Sequence, residues 1–136
     1  MTREEVRQLA PEADVGKGAG EADVAAAEAA LSFSFPPDYR EFLLCCDGLC
    51  GFVGAHYVVL KSASVLTDYN RDHNFPEFCP EVVAIGTNGG GEAIVFRRDN
   101  GYVAFVPFIG MSIEEAVDIA STFDAFLRHP RPSEWS

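Results

Sequence analysis

The stretch from Val82 to Phe108, VVAIGTNGGGEAIVFRRDNGYVAFVPF, constrains the fold more than any other part of the chain. It contains three apolar runs that are rich in β-branched or aromatic residues and too short for a stable helix, which predicts three consecutive strands. Asn100 and Gly101 tolerate positive φ and predict a two-residue type I′ turn. That turn would pair Phe96 with Phe105, Val95 with Val106 and Ile94 with Pro107. Both faces of this β-meander (residues 82–108) are apolar, so we expect other elements to cover each face.

The N-terminal third of the chain predicts three helices that could provide this cover. Residues 2–10 begin with a capping box formed by Thr2 and Glu5, and the Ala-rich segment Glu21–Leu31 follows after a loop. A third helix begins near Pro37 and ends at Gly48. Its apolar residues recur at helical spacing and predict a core face, which consists of Tyr39, Phe42, Leu43 and Cys46.

The rest of the chain predicts one more strand and two more helices. We expect a strand at His56–Leu60 after a glycine-spaced loop, a short helix at Ser64–Asn70, and a loop at Arg71–Pro80. A second capping box, Ser112 with Glu115, predicts a long helix after the meander. Its apolar stripe consists of Ile113, Ala116, Val117, Ala120, Phe123 and Leu127. The sequence therefore predicts an α+β fold in one domain spanning residues 1–136, with a central, largely antiparallel sheet and a loose tail at residues 130–136.

Charge is the most unusual feature of the composition. The 136 residues contain 21 acidic and 10 basic side chains, for a net charge of −11. Such a chain repels nucleic acids and anionic membranes and attracts basic partners, although solubility alone is a sufficient reason for the acidity. The charged N-terminus predicts no signal peptide, and no window approaches the about 20 apolar residues that a membrane span needs. We therefore expect a cytoplasmic protein, monomeric or weakly dimeric, with reduced and mostly buried cysteines.

The motifs for chemistry are weak. Cys45, Cys46, Cys50 and His56 are the best metal candidates, but two adjacent cysteines in a helix point about 100° apart and do not resemble a zinc knuckle. The GKGAG motif lacks the Ser or Thr after its lysine that a phosphate loop requires. No nucleophile lies in a recognised catalytic motif. We therefore expect no cofactor, no metal and no enzymatic activity, with a small-ligand or enzymatic domain as the less favoured alternative.

The run from Glu28 to Gly48, EAALSFSFPPDYREFLLCCDG, resembles the entry motif of the SUKH superfamily, the Smi/Knr-like proteins. Phe35 and Asp47 replace the leucine and asparagine of the family pattern, and both replacements keep the physical character of the position. The Ile-Gly step with its Gly-rich turn and the closing helix around Phe123 also resemble the family. The matching residues include Glu28, Leu31, Pro36, Tyr39, Phe42, Leu43, Gly48 and Gly91.

This resemblance implies an α+β fold and a function that the residues alone do not indicate. Bacterial members of the superfamily are mainly immunity proteins that bind and neutralise a cognate toxin, often a nuclease, and eukaryotic relatives are regulatory scaffolds. It implies no catalytic residues, and it assigns fold-holding roles to Pro36 at the helix entry, to Tyr39 and Phe42 in the core, and to Gly91 at a turn.

For the surface that meets the partner, we predict the segment from Asp68 to Glu81. Acidic and aromatic residues are mixed there in a predicted loop, and loops often carry recognition. The alternative is a solvated acidic loop beside ordinary core aromatics. The candidate contact residues are Asp68, Tyr69, Asp72, Phe75, Glu77, Phe78 and Glu81, and the expected partner is a basic toxin domain.

Overall fold

The computed structural model describes residues 2–130, and its centre is a seven-stranded antiparallel sheet. The strands follow one another across the sheet in chain order. They are β1 (Asp14–Val15), β2 (Leu49–Val53), β3 (His56–Leu60), β4 (Val82–Thr87), β5 (Glu92–Arg97), β6 (Val103–Pro107) and β7 (Val117–Ala120). The helices are α1 (Arg3–Leu9), α2 (Glu21–Leu31), α3 (Pro37–Cys45), α4 (Leu66–Asp72), α5 (Phe75–Phe78) and α6 (Phe123–Arg128). The predicted α+β fold with an antiparallel sheet is confirmed.

The predicted meander is present as β4, β5 and β6, and each of its faces is covered. One face carries Ile94, Phe96 and Phe105 into the larger core, to which α1, α2, α3 and α6 contribute. The other face carries Val95 and Val106 into a smaller core, which Phe75 of α5 and the segment after β6 close. Two apolar faces thus require two layers of cover, as the sequence predicted.

The predicted register of the β5–β6 hairpin is wrong by two residues. Phe96 pairs with Val103 and Ile94 pairs with Phe105, so the connection is longer than a two-residue turn. A type I′ turn needs positive φ at both central residues, but here Gly101 (φ 74°) has positive φ and Asn100 does not. Asn100 instead accepts a hydrogen bond from the amide of Tyr102 at 2.9 Å through its side chain. A shift of two residues leaves every side chain on its predicted face.

The three N-terminal helices agree with the prediction. The Thr2–Glu5 capping box is formed, and α2 has the predicted bounds with Val24, Ala27 and Leu31 buried. In α3 the predicted core face is buried. The helix ends at Cys45, and Asp47 takes the left-handed conformation (φ 49°) just before Gly48 (φ 119°).

The prediction of a long C-terminal helix is wrong. Ile113–Glu115 form a single 3₁₀ turn, Val117–Ala120 form β7, and α6 covers Phe123–Arg128. The β-branched Val117 and Ile119 lie beside the open edge of β6, and pairing with that strand overrides the local helical pattern. Thr122 is the N-cap residue of α6, and its side chain accepts a hydrogen bond from the amide of Ala125. Ser112, predicted as the cap, makes no side-chain capping bond.

Three predicted loops contain regular structure. The glycine-spaced loop before His56 is β2, and the loop after Pro11 contains β1, which pairs with β2. Arg71–Pro80 contains the end of α4 and the short α5. In the GKGAG motif, a Cβ on Gly18 would lie 1.9 Å from the Leu44 carbonyl oxygen. These glycines therefore allow close packing against the carbonyl end of α3, where an anion is disfavoured.

The residues assigned to the fold by resemblance have identifiable contacts. The Glu28 carboxylate accepts a hydrogen bond from the Phe35 amide at 2.8 Å and pairs with Arg40 at 3.5 Å, which joins α2 to α3. Pro36 is the N-cap residue of α3. Tyr39 and Phe42 are fully buried, and Gly91 has φ 89° between β4 and β5.

The cysteines are all free, but their burial differs. Cys46 and Cys79 are buried, Cys45 is half-buried, and Cys50 is exposed on β2, so the expectation of a buried thiol is wrong there. Burial raises the pKa of the Cys79 thiol to about 11, which disfavours the reactive thiolate. Within residues 2–130, no helix combines the length and apolar character needed to cross a membrane. The tail predicted to be loose lies outside the described residues, except for the buried Pro130.

Candidate protein-binding face

The segment from Asp68 to Glu81 forms the C-terminal part of the connection between β3 and β4 and includes most of α4 and all of α5. Strands β3 and β4 pair only through Val59–Thr87 and Leu60–Gly86, and α4 lies beside β4 where that pairing has ended. The predicted partner residues therefore lie on short helices at the side of the sheet, except for Glu81, which lies in the turn before β4. We call the residues Asp68–Glu81 the helical segment.

Asn70 anchors the helical segment to the sheet. Its side-chain amide donates to the carbonyl oxygens of Leu66 and Ala84, each at 2.9 Å, and its side-chain oxygen accepts from the Ala84 amide at 2.8 Å. The backbone amide and carbonyl of Ala84 point away from β5. The Asn70 side chain therefore supplies the hydrogen bonds that a neighbouring strand would otherwise supply there. Sequence reasoning missed this residue, because a polar residue inside an amphipathic pattern gives no sign of what it contacts.

The carboxylates of the helical segment are exposed, but two of them share a cation. Arg71 lies 2.7 Å from Asp68 and 3.6 Å from Asp72, and all three side chains are well exposed. Such exposed pairs contribute little to stability. Glu77 and Glu81 are also exposed and complete the set of four predicted acids. Including Arg71, the segment has a formal charge of −3 (four acids, one base).

The three aromatic residues predicted to contact a partner have different positions. Phe75 is 1% exposed and packs in the smaller core, so its prediction as a contact residue is corrected. Tyr69 is half-buried and donates to the Gly86 carbonyl at 3.0 Å, and burial raises its pKa to about 12. Phe78 is 57% exposed. It borders an open cavity of about 340 Å³, whose lining includes His73, Phe108 and Met111.

A second exposed aromatic group lies on the β2–β3 hairpin, which sequence reasoning missed because it treated residues 49–55 as a loop. Phe52 and Tyr57 are directly opposite in the register, and their ring centroids are 5.4 Å apart in an edge-to-face arrangement. They are 55% and 40% exposed. Buried Leu49 and Val53 alternate with exposed Cys50 and Phe52 along β2, but all four residues are apolar, so hydrophobic periodicity does not reveal this alternation.

The metal candidates give no arrangement that could hold an ion. Within residues 2–130, no three His, Cys, Asp or Glu side chains converge as a metal site would require. Cys50 instead lies 3.4 Å from the Tyr57 hydroxyl on the hairpin.

The fold and this face together define an α+β protein with one antiparallel meander sheet and an exposed, acidic and aromatic helical segment at its side. The chain belongs to the SMI1/KNR4 family (SUKH-1), which matches residues 18–129. It is also similar to the uncharacterized protein YnaB of Bacillus subtilis (strain 168), with 31% identity over 101 residues. That alignment covers 71% of this chain and 65% of the relative, so it spans less than two thirds of the relative. The family resemblance predicted from the sequence is confirmed.

Proposed function

We propose that the protein is a non-enzymatic binding module that neutralises a cognate toxin with a basic domain. The observation that carries this proposal is the exposure of Phe78 among the acidic residues of the helical segment. An exposed aromatic side chain beside a cavity offers an apolar anchor, and the surrounding carboxylates favour Lys- and Arg-rich partners. Membership of the SUKH-1 family supports the same class of function.

The electrostatic part of the mechanism acts mainly on the rate of association. A net charge of −11 attracts a basic domain over a distance of about 8–10 Å at physiological ionic strength. The acidic side chains would then occupy the surface with which a nuclease binds phosphates, and so exclude its substrate. Affinity itself would come from a few buried anchors.

The test is co-expression with each candidate toxin whose gene is found beside this one, followed by measurement of association rates across a salt series. We expect rescue of growth and an association rate that falls as salt rises. Glu77→Gln with Glu81→Gln should slow association. Glu4→Gln with Glu21→Gln removes the same charge from exposed positions in α1 and α2 and serves as the matched control.

Absence of rescue and of a complex would refute the toxin-neutralising function and would favour a regulatory scaffold. A complex whose association rate does not respond to salt would keep the function and remove its electrostatic mechanism. Equal slowing by both pairs of substitutions would show that net charge, rather than the helical segment, steers the partner.

A further inference from the structure

One face of the sheet is covered in one half and open in the other. A continuous row of directly paired residues crosses it, in the order Asp14, Cys50, Val59, Thr87, Ala93 and Val106. Ala93 and Val106, at the β5–β6 end, are buried in the smaller core. Cys50 and Asp14, at the β1–β2 end, are exposed. The helical segment thus covers only the β4–β6 half among the described residues.

The open half carries apolar surface with acidic neighbours. Phe52 and Tyr57 project from it, and Phe52 also lines an open cavity of about 570 Å³ together with Leu9, Pro11 and Glu12. Asp14 is opposite Cys50 in the same row. We call the set Glu12, Asp14, Cys50, Phe52, Tyr57 and Val59 the hairpin face.

The two aromatic rings are held in place before any partner arrives. Both lie on paired strands, and each ring contacts the other. The connection between β4 and β5 lies against Tyr57, because a Cβ on Gly89 would stand 2.8 Å from its Cδ2 atom. A rigid aromatic surface loses little conformational entropy on binding and is typical of interface anchors.

We infer that the hairpin face binds an Arg- or Lys-containing segment of a protein partner. Aromatic faces attract guanidinium and ammonium groups, and nearby carboxylates can pair with the same cation. A second copy of this chain fits poorly, because a symmetric contact would bring Asp14 and Glu12 of both copies together. The inference goes beyond the proposed function, since it assigns a different surface and does not require the partner to be a toxin.

The experiment titrates the full-length, ¹⁵N-labelled protein with a short peptide that alternates arginine and glycine, and follows amide chemical shifts. The control peptide replaces each arginine with citrulline, which keeps the shape and removes the charge. We expect shift changes at residues 12–14 and 50–59 with the arginine peptide and none with the citrulline peptide. Shift changes confined to the helical segment, or spread over all exposed acids, would overturn the inference.

Substitutions then test the rings themselves. Phe52→Ser should lower the affinity for the arginine peptide by about tenfold, whereas Phe78→Ser should leave that affinity unchanged. These residues are matched controls because they are 55% and 57% exposed. Equal weakening by both would refute the assignment. Asp14→Asn, at an exposed position, repeats the test if Phe52→Ser does not fold, and unchanged binding there would count against the inference. Peptide binding at the hairpin face without rescue of growth would refute the toxin hypothesis alone.

Discussion

Removing the side chain of Asn70 should destabilise the protein more than any exposed substitution on α4. Asn70→Ala leaves the amide and the carbonyl of Ala84 without partners, and Ala84 is fully buried. Each unpaired buried group costs about 1–3 kcal/mol, so we expect a loss of about 3 kcal/mol in the free energy of unfolding. For a chain of this size, that corresponds to a fall of about 10 °C in melting temperature.

Urea denaturation followed by circular dichroism measures this loss, and Asp72→Ala is the control on the same helix. Asp72 is well exposed, so its substitution should change stability by less than about 0.5 kcal/mol. An Asn70→Ala variant within the same limit of the wild type would show that Asn70 does not replace a strand partner for β4.

Asn70→Asp separates the hydrogen bonds from the packing. A carboxylate can still accept from the Ala84 amide, but it cannot donate to the carbonyls of Leu66 and Ala84. We therefore expect Asn70→Asp to lower the free energy of unfolding strongly at neutral pH. The difference from the wild type at the same pH should become smaller as the carboxyl protonates in acid. A difference from the wild type that does not vary with pH would contradict the donor role of the amide.

Three further predictions follow from the core. Phe42→Ala and Phe123→Ala should each cost about 3–5 kcal/mol in urea unfolding, since both rings are buried in one aromatic cluster, and wild-type midpoints would contradict this. Tyr39→Phe should raise stability by about 1 kcal/mol, because the buried hydroxyl has no hydrogen-bond partner among the described residues, and a loss would indicate a bound water. Burial raises the pKa of Tyr39 and raises that of Tyr69 to about 12, so stability should be complete below pH 10 and fall as pH rises above it. Absorbance at the tyrosinate band during alkaline titration checks the last prediction, and Tyr39→Phe should reduce the fall.

Metal removal is expected to have no effect on stability. A chelator should leave the thermal transition unchanged, because all four cysteines are free thiols and no metal-binding cluster is present in residues 2–130. Elemental analysis that finds about one equivalent of zinc would contradict this expectation.

Local signals predicted the elements whose stability is mostly local. The Thr2 capping box, the Ala-rich α2 and the proline entry to α3 each act within one turn of the chain, and all three are present. The apolar stripe after residue 112 was misleading because Val117 fits the helical spacing of that stripe, whereas Val117 and Ile119, two residues apart and β-branched, also fit a strand. Only the free edge of β6 decides between the two, and a single sequence window does not contain that edge.

The candidate binding surfaces were harder to predict for a related reason. Sequence composition located the acidic residues, but it could not separate the exposed Phe78 from the buried Phe75, which lie in the same short helix. The pairing of Phe52 with Tyr57 depends on a hairpin whose glycines resemble those of a loop. Exposure is a property of packing between distant elements, and periodicity reports it only where an element is long.

Because the strands cross the sheet in chain order, each pairing joins consecutive strands, and no connection has to bypass a strand. Each strand can therefore add to the one before it as the chain leaves the ribosome, with little loop-closure entropy for the short connections. The two long connections are residues 16–48 and 61–81. Each contains helices, which reduce the length of flexible chain that the connection has to close. A change in the length of one connection also leaves the pairing of the other strands intact. The exposed surface of one connection can thus change without unfolding the rest of the protein.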